Sequence, residues 1–523
     1  MTGAGWWNEG ASAVVKLALA AVTLALVAWD LARRRGKGSA GGAIDRWRGK
    51  AFAALGVLGF LAYFNFGAFH FGGIVVHLWD GLHHYLGAKY VDELHYDGLY
   101  ECIALADADE PRLSTRAAER ALTDLRTNQM TTAAEIIAHP ERCRARFTDT
   151  RWRAFETDVA FFRDRFPEAD WQGVTRDHGF NASPVWLLLA HPLAGEAPVT
   201  MARLIVLAAL DPLLMLGALA ALVWAFGWQR AALVAVVWGT YFPGRLWWTG
   251  GSILRWDWLA ALLGGLALLR RERPLAAGGL LAYAALSRVF PVFALAGAGL
   301  ALGVSTVRRR PADRTIVRLL LGATLAAAVL VPLAGAVRGG AVWADFARNL
   351  AKHTSVPSPN RMGVAALLAY EPAETVRALQ QGAPADSPRW EDTQTWKLQE
   401  RRPLWIALAI VGVVAVGFAL RDQPAWMACL LGLLLVPLGR PLACYYYAFV
   451  AALPLASERR ADVAGIAVAL ALASGIVARM RGFDVDEQYA AQSLLVVLAF
   501  AFMASAFLVR ERASGAAVSA DGA

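Results

Sequence analysis

WDWLAALLGGLALLRRERPLAAGGLLAYAALSRVFPVFALAGAGLALGVSTVRRR, residues 256–310, decides the fold. Three apolar runs follow one another here, at 253–269, 275–288 and 290–306. The basic cluster RRER (270–273) parts the first two, SRVFP parts the second and third, and RRR (308–310) closes the third. A bilayer core about 30 Å thick takes roughly 20 apolar residues as helix, and fewer where helices are short or broken. The stretch therefore reads as successive membrane helices, with basic residues gathered where the chain returns to one face.

The rest of the chain repeats the pattern. Of 523 residues, 57% are hydrophobic and 18% charged, against about 25% charged in a soluble domain. Ten further runs lie at 12–32, 51–78, 201–226, 231–243, 315–336, 404–420, 424–439, 442–457, 461–479 and 488–509. The expected fold is an all-α polytopic membrane protein of about 13 transmembrane helices. The first run lacks a basic leader and a small-residue cleavage site, so it reads as a retained helix. With the N-terminus outside, the basic clusters at 33–50, Arg230, 270–273, 308–318, Arg421, 458–460 and 510–512 all fall on one side, the cytoplasmic one. Arg479 and Arg481 run against this count. The net charge of +9 belongs to these flanks and not to a basic soluble domain, which argues against nucleic-acid binding.

Two long segments remain for the exterior. Residues 79–200 hold 13 Lys and Arg against 20 Asp and Glu, and read as mainly helical, with STRAAERALTDLR (114–126) as a capped helix. Residues 337–402 carry turn-rich HTSVPSPN and APADSP and an amphipathic piece, EPAETVRALQQ. Of the four cysteines, Cys429 and Cys444 sit in apolar surroundings; Cys102 and Cys143 share the first exterior segment, either as a disulfide or as two free thiols.

Chemistry concentrates at HLWDGLHHYLGAKYVDELHYDGLY, residues 77–100. Asp80 follows the 51–78 run, where partial desolvation would raise its basicity and suit it to general-base work. His83 and His84 stand three and four residues on, sharing its face if the helix continues, and Glu93 and Asp97 form another i,i+4 pair. The competing reading is an ordinary polar and aromatic membrane interface. The His and carboxylate spacing matches no recognised metal-ligand set, so neither a metal nor another cofactor is expected.

Arginines supply the complementary charge. FPGRLWWTGGSILRWDW (242–258) holds Arg245, Arg255, Trp256 and Asp257; Arg288 stands between two apolar half-runs; Arg440 opens RPLACYYYAFVAALP, with Tyr446 inside it. At membrane depth an Arg meets a carboxylate such as Asp257, binds an anion, or snorkels to the headgroups. Its fork is suited to phosphate oxygens.

The order of these elements resembles the integral-membrane glycosyltransferases of the GT-C superfamily, in particular glycosyltransferase family 87. An acid followed by a Tyr-bearing helix start is similar to Asp80 with His83, His84 and Tyr85. A Pro-bearing entry into a Leu run resembles SPVWLLLAHPLAG (183–195), and a small-residue helix running into a basic residue, two spacers and Pro resembles the segment ending at Arg288. A Pro–aromatic opening resembles RPLACYYYAFVAALP, and an Asn element resembles PSPNRMGVAALLAY, with Asn360. The resemblance covers roughly 51–456, leaving 1–50 as an N-terminal helix and linker and 457–523 as C-terminal helices and tail. The long first exterior segment and the extra N-terminal helix depart from the family's pattern.

The resemblance implies an inverting transferase in a bacterial cytoplasmic membrane, with its site facing the exterior. It moves a sugar from a polyprenyl-phosphate donor to a hydroxyl of a glycan, lipid or protein. Asp80 is then the base, with Glu93 and Asp97 as competing carboxylates. Arg288 takes the donor phosphate, with Arg255, Lys89 or His84 in support. Two rival readings are a secondary transporter, which would call for internal repeats and charges near helix midpoints, whereas no repeat is obvious and the charges singled out above lie at one edge, and a non-catalytic envelope-assembly scaffold.

Overall fold

A computed structural model describes residues 8–35, 42–110, 117–376 and 388–508. The expected features at 36–41, Ser114–Arg116, 377–387, 510–512 and the 513–523 tail lie outside the described residues. These take in parts of the RRRGKG, EPAETVRALQQ and APADSP readings. The described chain is mainly helical. Its sheet is confined to two antiparallel two-stranded ladders, Ala121–Asp124 with Gln129–Thr132 and Arg361–Met362 with Leu442–Ala443.

Among the described residues, five helices are long and apolar enough to cross a bilayer: Glu9–Arg33, Met201–Phe226, Arg314–Arg338, Arg402–Ala419 and Val485–Leu508. Their outward faces stay apolar; Leu213, Val329, Val411 and Phe502 are each over 60% exposed. Leaving such faces in water would forfeit about 25 cal/mol per Å² of apolar surface, so lipid is their natural solvent. Several of the remaining apolar runs are shorter helices, including Trp228–Thr240, Asp257–Arg270, Pro274–Arg288 and Val292–Val307.

Small residues set the crossings. A Cβ on Gly59 would lie 2.6 Å from Val236 Cα, so the Gly42–Tyr63 and Trp228–Thr240 helices meet backbone to backbone. Gly278 and Gly322 do the same where Pro274–Arg288 crosses Arg314–Arg338. Close approach of this kind replaces the hydrophobic drive that lipid cannot supply. At one end of the bundle Glu458 gathers Arg270 (2.8 Å) and Arg230 (3.9 Å), and Asp422 gathers Arg308 and Arg310. Basic clusters far apart in sequence thus share an end.

Two sequence expectations are corrected. The 51–78 run is not one helix: it stops at Tyr63, and residues 64–77 take an irregular path, with positive φ at Asn65, Phe66, Gly67, Phe69, Phe71, Gly72 and Gly73. The composition stays apolar while the backbone leaves the helix. The helix expected over 114–126 does not extend through residues 121–124. There the chain forms the Ala121–Asp124 strand, turning through Asn128 (φ 60°) into Gln129–Thr132. Thr123, Thr131 and Thr132 favour the extended form, and Leu122 is buried by it.

Residues 76–208 build a second hydrophobic core, around Tyr85, Tyr90, Tyr100, Trp152, Phe155, Phe162 and Trp186. A disulfide joins Cys102 to Cys143 inside it, settling the alternative left open by the sequence. Cys429 and Cys444 are free and buried.

Candidate functional site

The 70–77 path ends by docking on the 247–251 turn. His70 Nε2 meets Gly250 O at 2.8 Å, His77 Nε2 meets Trp247 O at 2.7 Å, and His77 N–H donates to Gly251 O at 2.9 Å. His77 then caps the short helix Leu78–Gly81, its Nδ1 accepting from Asp80 N–H. Asp80 therefore sits on a separate helix, not on the tip of the second apolar helix. A π-helical turn, Leu82–Leu86, follows without a break and carries His83 and His84.

On this frame Asp80, His84 and Arg255 close a triangle. Arg255 Nε lies 3.0 Å from Asp80 Oδ2, His84 Nδ1 lies 3.3 Å from Asp80 Oδ1, and Arg255 Nη1 lies 2.7 Å from His84 Nε2. A guanidinium N–H only donates, so His84 Nε2 accepts and its proton sits on Nδ1, facing Asp80. Burial and the Arg255 cation bring the His84 pKa down to about 4, which keeps the ring neutral. Burial works against ionisation of Asp80, but Arg255 and His84 outweigh it and hold the carboxyl well below the usual range. The raised basicity expected for Asp80 is thus reversed in the resting arrangement.

A second guanidinium stands beside the triangle. Arg288 ends the Pro274–Arg288 helix, where Val289 (φ 59°) and Pro291 stop it. Its charged group lies 5.5 Å from the Trp186 ring, and that ring lies 5.7 Å from the His84 ring. Trp186 Nε1 donates to Leu254 O at 3.0 Å, next to Arg255. Ser183 starts the Trp186 helix by accepting the Trp186 N–H. Arg288 is only 7% exposed, yet Nε and Nη2 have no hydrogen-bond partner and no ion pair holds it among the described residues. Its Nη1 makes one long contact, 3.5 Å, to Ser287 O.

Two further carboxylates frame the cluster. Asp257 Oδ2 accepts from Tyr283 OH (2.6 Å) and Ser287 Oγ (3.0 Å), leaving Oδ1 unpartnered. Asp211 Oδ2 accepts from Gly251 N–H at 2.7 Å, which ties the Arg255 turn to the Met201–Phe226 helix. Trp256 is buried against Tyr63, Trp238 and Trp258, and Tyr446 makes tilted ring contacts with Tyr445 and Phe290.

Other candidates lie elsewhere. Lys89 is sealed in the second core on Asp158 (2.6 Å) and Ala197 O (2.7 Å), so its ammonium is already engaged. Glu93 pairs with Arg151 at 2.5 Å and Asp97 with Arg146 at 3.0 Å; both brace the 76–208 module. His83 meets Tyr100 OH (2.6 Å), Tyr85 OH donates to Ala194 O, and Arg245 pairs with Glu9. Asn360 accepts from Ser358 Oγ, and Arg440 reaches Thr354 O at 3.5 Å.

Sequence reading passed over Trp186, Asp211, Tyr283 and Ser287. Only Asp211 gave a usable signal, as a carboxylate inside an apolar run. Among the described residues no group of three or more His, Cys, Asp or Glu is arranged to hold a metal ion. No family model, curated protein or solved structure matches the chain.

Proposed function

We propose that the chain is a GT-C-type membrane glycosyltransferase, crossing the bilayer about 13 times. It moves a sugar from a polyprenyl-phosphate donor to an acceptor hydroxyl at the exterior face of a bacterial cytoplasmic membrane. One observation carries the reading. Arg288 is a buried guanidinium with two unsatisfied nitrogens, beside an Arg255–Asp80–His84 triangle. An uncompensated buried cation is costly, and a phosphate ester would satisfy its fork. The disulfide in the 76–208 module fits an oxidising compartment and so an exterior site.

In the proposed reaction the acceptor oxygen attacks the anomeric carbon as the bond from that carbon to the phosphate oxygen breaks. Configuration inverts, the hydroxyl proton passes to Asp80, and the polyprenyl phosphate leaves on Arg288 and Arg255. The depressed pKa of Asp80 suits a resting state. A donor phosphate competing for Arg255 would loosen the Arg255–Asp80 pair and return basicity to the carboxylate as substrate binds.

The test uses the full chain in nanodiscs with radiolabelled polyprenyl-phosphate-mannose and polyprenyl-phosphate-arabinose, together with a membrane extract as acceptor source. Label should move to an acceptor with wild type. Asp80→Asn should lose transfer while retaining polyprenyl-phosphate binding. Transfer undiminished in Asp80→Asn would overturn the assignment. The specific observation favouring transport instead is Asp211, a buried carboxylate inside a membrane-length helix. Proton-coupled flux without label transfer would select that reading.

A further inference from the structure

A second basic cluster lies outside the triangle and takes no part in the scheme above. Three exterior segments meet in it. His178 comes from the loop before the Pro184–Ala194 helix. Lys352 and His353 end the Val342–Ser355 helix. Arg361 and Arg440 flank the small Arg361–Met362/Leu442–Ala443 ladder.

The His178 and His353 rings lie 5.8 Å apart, edge to face. Arg361 Nη2 donates to His353 O, Arg440 Nη1 reaches Thr354 O, and Lys352 Nζ donates to Leu125 O. These contacts fix the backbone around the cluster but supply no counter-charge. His178 Nδ1 and His353 Nε2 are buried without hydrogen-bond partners, and none of the five groups is in an ion pair among the described residues. Asp177 faces the pair, but its carboxylate already accepts from Trp79 Nε1 (2.8 Å) and from His178 N–H (2.8 Å). Asp97 and Asp124 act on Lys352, and Glu391 on Arg361, only at longer range.

Burial and mutual repulsion both disfavour the charged forms in this cluster. His353 is brought down to about 3 by burial, with His178, Lys352 and Arg361 adding to it, and Arg361 is brought down to about 10, chiefly by burial. Cation-capable groups drawn together without an anion form a site that lacks its occupant. Two ring nitrogens that can each donate a hydrogen bond, with the Arg361 guanidinium acting on both rings and Arg440 beside Arg361, match the oxygens of a phosphate group. Tyr445 interacts with both Arg361 and Arg255, so the cluster adjoins the reaction centre.

We propose that His178, His353, Arg361 and Arg440 form a second phosphate site, which holds a phosphate group on the acceptor beside the Asp80 centre. Calling the occupant an acceptor rests on the transferase reading; the binding itself does not. The same phosphate chemistry is also carried by a bilayer headgroup, and the test separates the two.

Inorganic pyrophosphate is titrated calorimetrically into the full chain in phosphatidylcholine nanodiscs, and again in discs containing phosphatidylglycerol. Wild type should bind. In an Arg288→Gln background, which removes the donor-phosphate arginine, pyrophosphate should still bind; adding Arg361→Gln or the His178→Gln/His353→Gln pair should weaken that binding by about tenfold or more, and adding Arg361→Lys should retain much of it. Competition by phosphatidylglycerol would identify a headgroup occupant. Its absence would leave the site to the acceptor. No binding in the Arg288→Gln background, or no weakening there by added Arg361→Gln, would overturn a separate site. Binding is read without turnover, so failure of sugar transfer would leave this result standing. Unchanged melting temperatures would exclude misfolding of the variants.

Discussion

Asp80, His84 and Arg255 depend on one another, because each is the other's principal polar partner and all three are buried. Removing one charge therefore strands another. Arg255→Ala should destabilise the folded protein by roughly 3–5 kcal/mol, read as a loss of melting temperature in detergent, because Asp80 is left without its cation. A smaller cost than that of a typical exposed Arg substitution would contradict the pairing. The histidines give a second prediction. His70 and His84 are each brought down to about 4, burial being the largest cause, and His353 to about 3. Unfolded histidine binds its proton near pH 6.5, so the unfolded state takes up more protons between there and about pH 4. Stability should hold above pH 6.5 and fall as the pH drops toward 4, and His84→Gln should flatten the slope. At this scale the sequence exposed Asp80, His84, Arg255 and Arg288 as unusual, since each is a charge or titratable group beside apolar runs. It could not say that Lys89 and Glu93 were spoken for, because their partners, Asp158 and Arg151, lie 69 and 58 residues away.

Elements follow from hydropathy where the backbone is regular, and only there. The helices Asp257–Arg270, Pro274–Arg288 and Val292–Val307 match the runs that opened the reading, including the break after Arg288. The 64–77 path escaped it, because FNFGAFHFGGIVV is as apolar as a helix while its glycines admit left-handed backbone. The 121–132 hairpin escaped it too, because spaced Ala and Leu fit a helix until Thr123 and Thr131 are paired across strands. Helix crossings are the most exacting element-level feature. Gly278 faces Leu319 O and the Ala323 nitrogen with no room for a Cβ. Gly278→Leu should force the Pro274–Arg288 and Arg314–Arg338 helices apart and cost about 1–3 kcal/mol or more, measured by thermal unfolding in detergent. A neutral result would show that the crossing is looser than drawn.

On the scale of the molecule, an apolar bundle carries a folded 76–208 module, and the groups proposed to react come from both. Asp80 and His84 belong to the module, Arg255 and Arg288 to turns at the ends of bundle helices. The Cys102–Cys143 disulfide closes a separation of 41 residues within the module. Cys102→Ser should cost about 2–4 kcal/mol and slow the protein's non-reducing gel mobility to that of the reduced form. The central claim is that the buried Arg288 exists to hold a lipid phosphate. Its most direct test is native mass spectrometry of the full chain with added polyprenyl monophosphate, comparing wild type with Arg288→Gln. The account predicts a lipid-bound wild-type species and at least about a tenfold loss of it in the variant. Equal lipid binding by both, or none by wild type, would contradict it.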